Sequence, residues 1–155
     1  MNAKRELYEE LARQTRGLLA GERDAIANAA NLSALIWHTL PDLNWAGFYF
    51  LKGRELVLGP FQGKPACVRI AMGTGVCGTA AAGPRTVLVP DVHRFPGHIA
   101  CDGASNSELV VPLVADGRVV GVLDLDSPLS GRFDADDAAG IEALARLWLA
   151  ASDPL

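Results

Sequence analysis

The chain has 155 residues, half of them hydrophobic, which is enough for one globular domain with a buried core. Its net charge of −4 and its lack of a Lys/Arg cluster argue against nucleic acid or an anionic membrane as a partner. We find no apolar run of about 18 residues that would predict a membrane span, and the charged N-terminus lacks the apolar segment of a secretory signal. We therefore expect a cytoplasmic protein, in a compartment where thiols stay reduced.

The first part of the chain predicts helix. Apolar side chains recur at helical spacing through residues 2–19 and again through 21–40, and Pro41 ends the second run. We predict a bent helix or a pair of helices over residues 2–40, covering one face of a sheet.

Strand patterns fill the middle of the chain. Two aromatic or aliphatic runs, residues 44–53 and 54–61, meet at Gly53 and predict a hairpin. Shorter strands are predicted within 66–73 and 85–91. Between these two, alanines follow the glycine-rich turn "GTGVCG" and predict a short helix.

The strongest pattern is "ELVVPLVADGRVVGVLDLD", in which two apolar runs flank Asp116-Gly117, the composition of a tight hairpin turn. A C-terminal helix is predicted over 134–151, with Asp134 as its N-cap. Because hairpins rather than helical crossovers join most strands, the sheet should be largely antiparallel. The order of elements therefore predicts an α+β fold with terminal helices packed on the sheet.

Three carboxylates are predicted to meet at one end of this sheet. Glu108 begins one strand of the last hairpin, and Asp124 and Asp126 close the other strand, so antiparallel pairing places them together. Asp124 and Asp126 are two residues apart and share a face. Carboxylates held close together raise at least one pKa and can also bind an ammonium group. The alternative is that all three are ordinary solvated strand ends.

The three cysteines are Cys67, Cys77 and Cys101, and no C-x-x-C motif is present. Cys101 lies in the polar loop "FPGHIACDGASNSE", residues 95–108, although a lone cysteine is more often a buried core residue. A thiol in a loop beside acids suits attack on an electrophilic sulfur or a peroxide. The resulting sulfenic acid can condense with a second cysteine, and an external thiol then reduces the disulfide.

Trp45 and Tyr49 are four residues apart on the first predicted strand and should share a face. Ordinary core packing is the usual role of such aromatic residues in strands.

Several motifs resemble one family. "GPFQGKPAC", "GTGVCGTAA", "DVHRFPGHIACD", "SELVVPL" and "GVLDLDS" occur in the order found in the free methionine-(R)-sulfoxide reductases, which are single GAF domains. The resemblance runs from about Asn44 to Phe133 and includes all three cysteines.

This resemblance implies a fold and an activity. The fold would be a GAF-like, six-stranded, mainly antiparallel sheet with helices on both faces, in one domain over residues 1–155 and often in a homodimer. Its sheet and active-site loops would lie within 43–126. The activity would be reduction of free L-methionine (R)-S-oxide to L-methionine with thioredoxin as the reductant, without a cofactor or a metal.

Site roles also follow from the resemblance, position by position. Cys101 matches the attacking cysteine, Cys67 the main resolving cysteine and Cys77 an auxiliary one. The acids that hold the substrate amine and assist protonation of its oxygen match Glu108, Asp124 and Asp126. The aromatic residues that enclose its S-methyl group match Trp45 and Tyr49.

Two alternatives remain. One is a non-catalytic GAF sensor of a small ligand, although such sensors are usually tethered to an output domain and do not need three cysteines. The other is a metal site formed by Cys77, Cys101 and His98, whose spacing matches no standard pattern. His38 and His93, like His98, are expected to be structural or loop residues.

Overall fold

The computed structural model describes residues 2–99 and 101–155. Met1 of the predicted domain and Ala100 of the predicted loop 95–108 lie outside the described residues. The main elements, in chain order, are α1 (Ala3–Leu19), α2 (Ala25–Thr39), β1 (Trp45–Lys52), β2 (Glu55–Gly63), β3 (Arg69–Ala71), α3 (Gly75–Ala82), β4 (Val87–Val89), β5 (Ser107–Ala115), β6 (Arg118–Ser127) and α4 (Ala135–Ala151).

The strands form one six-stranded antiparallel sheet in the order β3-β2-β1-β6-β5-β4. The β5–β6 hairpin turns at Asp116 and Gly117, both with positive φ (52° and 75°), as a two-residue primed turn requires. With helices on both faces, this arrangement confirms the predicted α+β class and the antiparallel sheet. The extent of the domain over residues 1–155 stays a prediction.

One face of the sheet carries the larger core. Alternate residues of β1, including Phe48 and Phe50, point to this face and pack with α1, α2 and α4. Trp148 of α4 lies over both phenylalanines, with ring centroids 5.3 Å from Phe48 and 5.7 Å from Phe50. The predicted N-terminal helices are therefore a pair, α1 and α2, which covers this face as expected.

The opposite face carries a smaller core and the pocket described below. Trp45 and Tyr49 point to this side, where α3 contributes Val76, Cys77 and Ala80. Because α3 has only eight residues, the loops that follow β2 and β4 cover the rest of this face. Cys77 was expected in a glycine-rich turn, but the helix begins at Gly75, so Cys77 lies in its first turn.

A buried carboxylate joins α1 to α4. Asp137 is almost fully buried, and its side chain accepts hydrogen bonds from Tyr8 Oη at 2.8 Å and Lys4 Nζ at 2.8 Å. Arg132 Nη1 lies 3.4 Å from the same carboxylate. Asp134 caps α4 as predicted, in a capping box with Asp137. The buried charge is therefore paired, and breaking this cluster would leave it uncompensated.

Replacing Gly140 with alanine is expected to lower the free energy of unfolding by about 1–3 kcal/mol, because overpacking strains a well-packed interface. A Cβ atom at this position would overlap the ring of Tyr8. The matched control is Gly17→Ala, an exposed site in α1 with no atom near its Cβ position, which should raise stability by about 0.5–1 kcal/mol. Urea unfolding of both variants checks this pair, and equal effects would contradict the packing described here.

Within residues 2–99 and 101–155, no helix combines the length and the apolar character needed to cross a membrane.

Candidate active site

The strand register places the predicted acids in two neighbouring rows on one sheet face. Glu108 of β5 pairs with Asp126 of β6, and Asp126 pairs in turn with Trp45 of β1. Asp124 lies two residues before Asp126 on β6, in the neighbouring row, and pairs with Gly47. Since directly paired residues point to the same side of a sheet, these side chains converge beneath α3 and the neighbouring loops.

The acids are buried rather than solvated. Glu108 is 6% exposed, Asp124 is 4% exposed and Asp126 is partly buried. Burial is the main cause that raises the pKa of all three carboxyls well above the ordinary range, and the negative charges of the neighbouring acids add to it. Asp124 Oδ1 is buried and has no hydrogen-bond partner among the described residues. The cluster therefore favours a bound proton or a bound cation.

The aromatic residues line the pocket beside these acids. Trp45 stacks on Tyr49 with a centroid separation of 5.8 Å, and Phe61 stacks on the same indole at 5.2 Å. Tyr49 Oη donates a hydrogen bond to the carbonyl oxygen of Cys67 at 2.8 Å. Trp45 Nε1 donates to the carbonyl of Lys64 at 3.2 Å. Both rings are thus core residues and pocket walls at once, and their polar atoms fix the loop after β2.

Cys67 and Cys101 form a disulfide, with Cα atoms 5.6 Å apart. The bridge joins the loop between β2 and β3 to the loop between β4 and β5, and Cys101 lines the pocket. Cys77 is the free thiol among the described cysteines, and it is buried. Its Sγ donates to Glu108 Oε2 over 3.9 Å, and burial raises the pKa of the Cys77 thiol.

The structure brings nearly all the predicted site residues to one pocket. Those that line it directly are Trp45, Tyr49, Cys77, Cys101, Glu108, Asp124 and Asp126, whereas Cys67 reaches it through the disulfide. Their individual roles stay predictions.

His98 was expected to be a structural or loop residue, but it also lines this pocket. Its Nε2 lies 4.0 Å from Glu108 Oε1, and its side chain is 16% exposed. Loss of solvent is the main cause that lowers the pKa of His98, which favours the neutral imidazole. The alternative metal set of Cys77, Cys101 and His98 is not available here, because the Cys101 sulfur is bonded to Cys67.

A polar cluster anchors the Cys101 loop and was not anticipated from the sequence. Asn44 Nδ2 donates to Asp102 Oδ2 at 3.0 Å and to Ser105 Oγ at 2.9 Å. The backbone N–H of Ala104 donates to Asp102 Oδ1 at 2.9 Å, and this bond, followed by that from Asn44, lowers the pKa of Asp102. An Asp side chain that accepts a hydrogen bond from the backbone N–H two residues later is a turn pattern that can be recognised in a sequence. The hydrogen bond between Asp102 and Asn44 cannot be predicted in that way.

Glu108→Gln is expected to stabilise the protein at alkaline pH by on the order of 1 kcal/mol. A carboxyl with a raised folded-state pKa binds more protons in the folded than in the unfolded protein, so its stability contribution is present near pH 4 and is lost as pH rises through the raised pKa. The glutamine side chain of the variant does not titrate, so the variant does not lose stability in this way as pH rises. The gain should therefore be small near pH 4 and grow towards pH 9.

Thermal unfolding across this pH range measures the difference, with the exposed Glu9→Gln as the control. A gain that is independent of pH, or equal in the control, would contradict burial of an ionisable Glu108.

The fold and this pocket define a GAF domain, and a family model with that description matches residues 5–148. The free methionine-R-sulfoxide reductase of Escherichia coli (strain K12) is 55% identical over 141 residues, which cover 91% of this chain and 86% of that protein. The chain thus belongs to the free methionine-R-sulfoxide reductase family of GAF domains, as its motifs indicated.

Solved structures agree with this assignment. The structure of free methionine-R-sulfoxide reductase from Neisseria meningitidis in complex with its substrate superposes with a TM-score of 0.93 at 44% identity, covering 97% of this chain and 91% of that one. The reduced form of fRMsr from Staphylococcus aureus gives a TM-score of 0.91 at 49% identity, covering 93% and 94% of the respective chains.

Proposed function

We propose that this protein reduces free L-methionine (R)-S-oxide to L-methionine, and that thioredoxin recycles the disulfide formed on the enzyme. The observation that carries the proposal is the Cys67–Cys101 disulfide at the wall of a pocket that contains three carboxylates. Family membership supports the substrate, and the disulfide supports a thiol-based cycle.

The buried acids bind the substrate amine in this proposal. Glu108, Asp124 and Asp126 face one pocket, and a bound ammonium group would neutralise charge that the protein otherwise buries at a cost. The unpartnered Asp124 Oδ1 is an acceptor available for an ammonium N–H. Trp45 and Tyr49 supply the apolar wall for the S-methyl group.

The chemical step begins at Cys101. Its thiolate attacks the sulfoxide sulfur, the S–O bond of the substrate breaks, and the oxygen ends on Cys101 as a sulfenic acid while methionine leaves with the sulfur electron pair restored. A protonated carboxyl at the pocket, for which Glu108 and Asp126 are the candidates, protonates the oxygen. Their raised pKa values keep a proton available at neutral pH.

The remaining steps return the enzyme to its dithiol form. The Cys67 thiol attacks the sulfenic sulfur, which releases water and forms the Cys67–Cys101 disulfide seen in this structure. Thioredoxin then reduces this disulfide by exchange and becomes oxidised. The sum is one methionine sulfoxide, two protons and two electrons converted into one methionine and one water. A cytoplasmic location would suit this cycle because the cytosol keeps thiols reduced, and it stays a prediction, as does a homodimer.

Free methionine sulfoxide is expected to have a kcat/KM about 10²-fold higher than its N-acetylated form, because acetylation removes the ammonium charge that the buried acids bind. NADPH oxidation coupled through thioredoxin reductase and thioredoxin measures both substrates, each as the separate R and S epimers. Oxidation that depends on the free R epimer supports the proposal. Equal rates on both forms would contradict the amine site, and ligand binding without turnover would favour the non-catalytic sensor.

A further inference from the structure

A thiol and two carboxylates from three different elements come together at the bottom of the pocket. Cys77 of α3, Glu108 of β5 and Asp124 of β6 each place one ligand atom within 4.8 Å of the other two, and all three residues are buried. The Cys77 sulfur is not used by the cycle proposed above, which needs only the other two cysteines.

A second observation indicates that this cluster accepts a cation. Asp124 lines the pocket and is 96% buried, and its Oδ1 has no partner among residues 2–99 and 101–155. A buried acceptor without a donor carries a desolvation cost that a ligand at the site would remove.

The donor set indicates which kind of cation fits best. Carboxylates alone suit hard ions such as Mg²⁺ and Ca²⁺, whereas a thiolate selects borderline or soft ions such as Zn²⁺. A thiolate with two carboxylates is a donor mixture that zinc accepts. His98 lies beside this set, with its Nε2 4.0 Å from Glu108 Oε1.

We propose that Cys77, Glu108 and Asp124 form a binding site for a thiophilic divalent cation such as Zn²⁺, which inhibits the enzyme. The Cys77 thiol and any protonated carboxyl of the set release their protons to solvent when the metal–ligand bonds form. Inhibition follows because the cation takes the carboxylates that bind the substrate amine. The inhibitory part rests on the proposed function, but the binding site does not.

The oxidised protein isolates this site from the other thiols. With Cys67 and Cys101 in their disulfide, Cys77 is the thiol that remains free in the described chain. Tag-free, full-length oxidised protein is therefore titrated with Co²⁺ alone, and then with Zn²⁺. We expect one equivalent of Co²⁺ to produce the near-ultraviolet charge-transfer band of a thiolate–cobalt bond, and one equivalent of Zn²⁺ to remove it.

Variants assign the ligands. Cys77→Ser should lose the charge-transfer band, and Asp124→Asn should keep the fold but weaken Co²⁺ affinity at least tenfold. The exposed acid variant Glu9→Gln should bind as the wild type does. Circular dichroism of each variant confirms folding, and Asp124→Asn keeps the test decisive if Cys77→Ser unfolds. Absence of stoichiometric Co²⁺ binding, or a band that survives in Cys77→Ser, would overturn the proposal.

Single-turnover assays test the inhibition separately. In reduced, desalted enzyme, Zn²⁺ should raise the concentration of free methionine sulfoxide that gives half the maximal single-turnover rate, and this effect should be at least tenfold weaker in Cys77→Ser. A protein that binds Co²⁺ through Cys77 but does not reduce methionine sulfoxide would retain the cation site and refute the proposed function. An active reductase without the cobalt band would support the proposed function and refute the cation site.

Discussion

Cys101→Ser is expected to abolish methionine formation entirely, including the first stoichiometric round. Of the two bridged cysteines, Cys101 is the one that lines the pocket with the carboxylates. Cys77 is less suited to attack because it is buried and its thiol pKa is raised, which leaves little thiolate near neutral pH. A hydroxyl in place of the Cys101 thiol is a far weaker nucleophile towards sulfur.

The other two cysteines divide the remaining steps. Cys67→Ser should still form about one methionine per active site and then stall as a sulfenic acid or as a slower Cys77–Cys101 disulfide. Cys77→Ser should retain most thioredoxin-linked turnover, because the bridge between Cys67 and Cys101 forms without it.

Single-turnover methionine yield, combined with mass mapping of oxidised peptides, separates these outcomes. A stoichiometric equivalent of methionine from Cys101→Ser would move the nucleophile to Cys67.

Glu108→Gln and Asp126→Asn are each expected to lower kcat/KM by about 10²-fold or more, the scale of lost acid–base catalysis. The two carboxyls are paired across neighbouring strands and face the pocket that Cys101 lines. Their pKa values are raised by burial, so the protonated form persists above the usual carboxyl range. Activity that depends on this proton should fall as pH rises through the raised pKa.

The control for this pair is Glu55→Gln, at the start of β2, whose side chain is half-exposed and which should leave kcat/KM unchanged. Steady-state kinetics from pH 5 to 10 give both the magnitude and the profile. Near wild-type rates in both pocket variants would remove these acids from the mechanism, and an unchanged alkaline limb in Glu108→Gln would exclude Glu108 as the group that titrates.

The sequence was informative where local pattern decides structure. Asp116-Gly117 between two apolar runs predicted the last hairpin, whose antiparallel pairing brings Glu108 to the same end as Asp124 and Asp126. A register shift between Leu113 and Val114, which the sequence did not predict, then pairs Glu108 with Asp126 on the same face. Whether those acids were solvated stayed open, because their burial comes from α3 and from loops distant in the chain. A strand pattern contains no information on what covers its polar end.

The sequence did not predict the roles of residues that reach the site only when loops distant in the chain fold over it. His98 lies in a polar loop with no periodicity, and only folding brings it to Glu108. The bond from Asn44 to Asp102 spans 58 residues. Cys77 was placed in a turn because its glycine neighbours favour turns, yet Gly75 starts a helix with a positive φ of 63°.

The disulfide has a consequence for the lifetime of the protein. It joins residues 34 apart in sequence, and a cross-link of that span stabilises a fold by about 3–4 kcal/mol relative to the open chain. The rate at which proteases cleave transiently unfolded chains depends on the free energy of unfolding, so this difference should lower that rate. We therefore expect molecules that have turned over and await reductant to resist degradation better than resting ones. In a cell short of reductant, the oxidised form would accumulate, resist proteolysis, and regain activity when its disulfide is reduced.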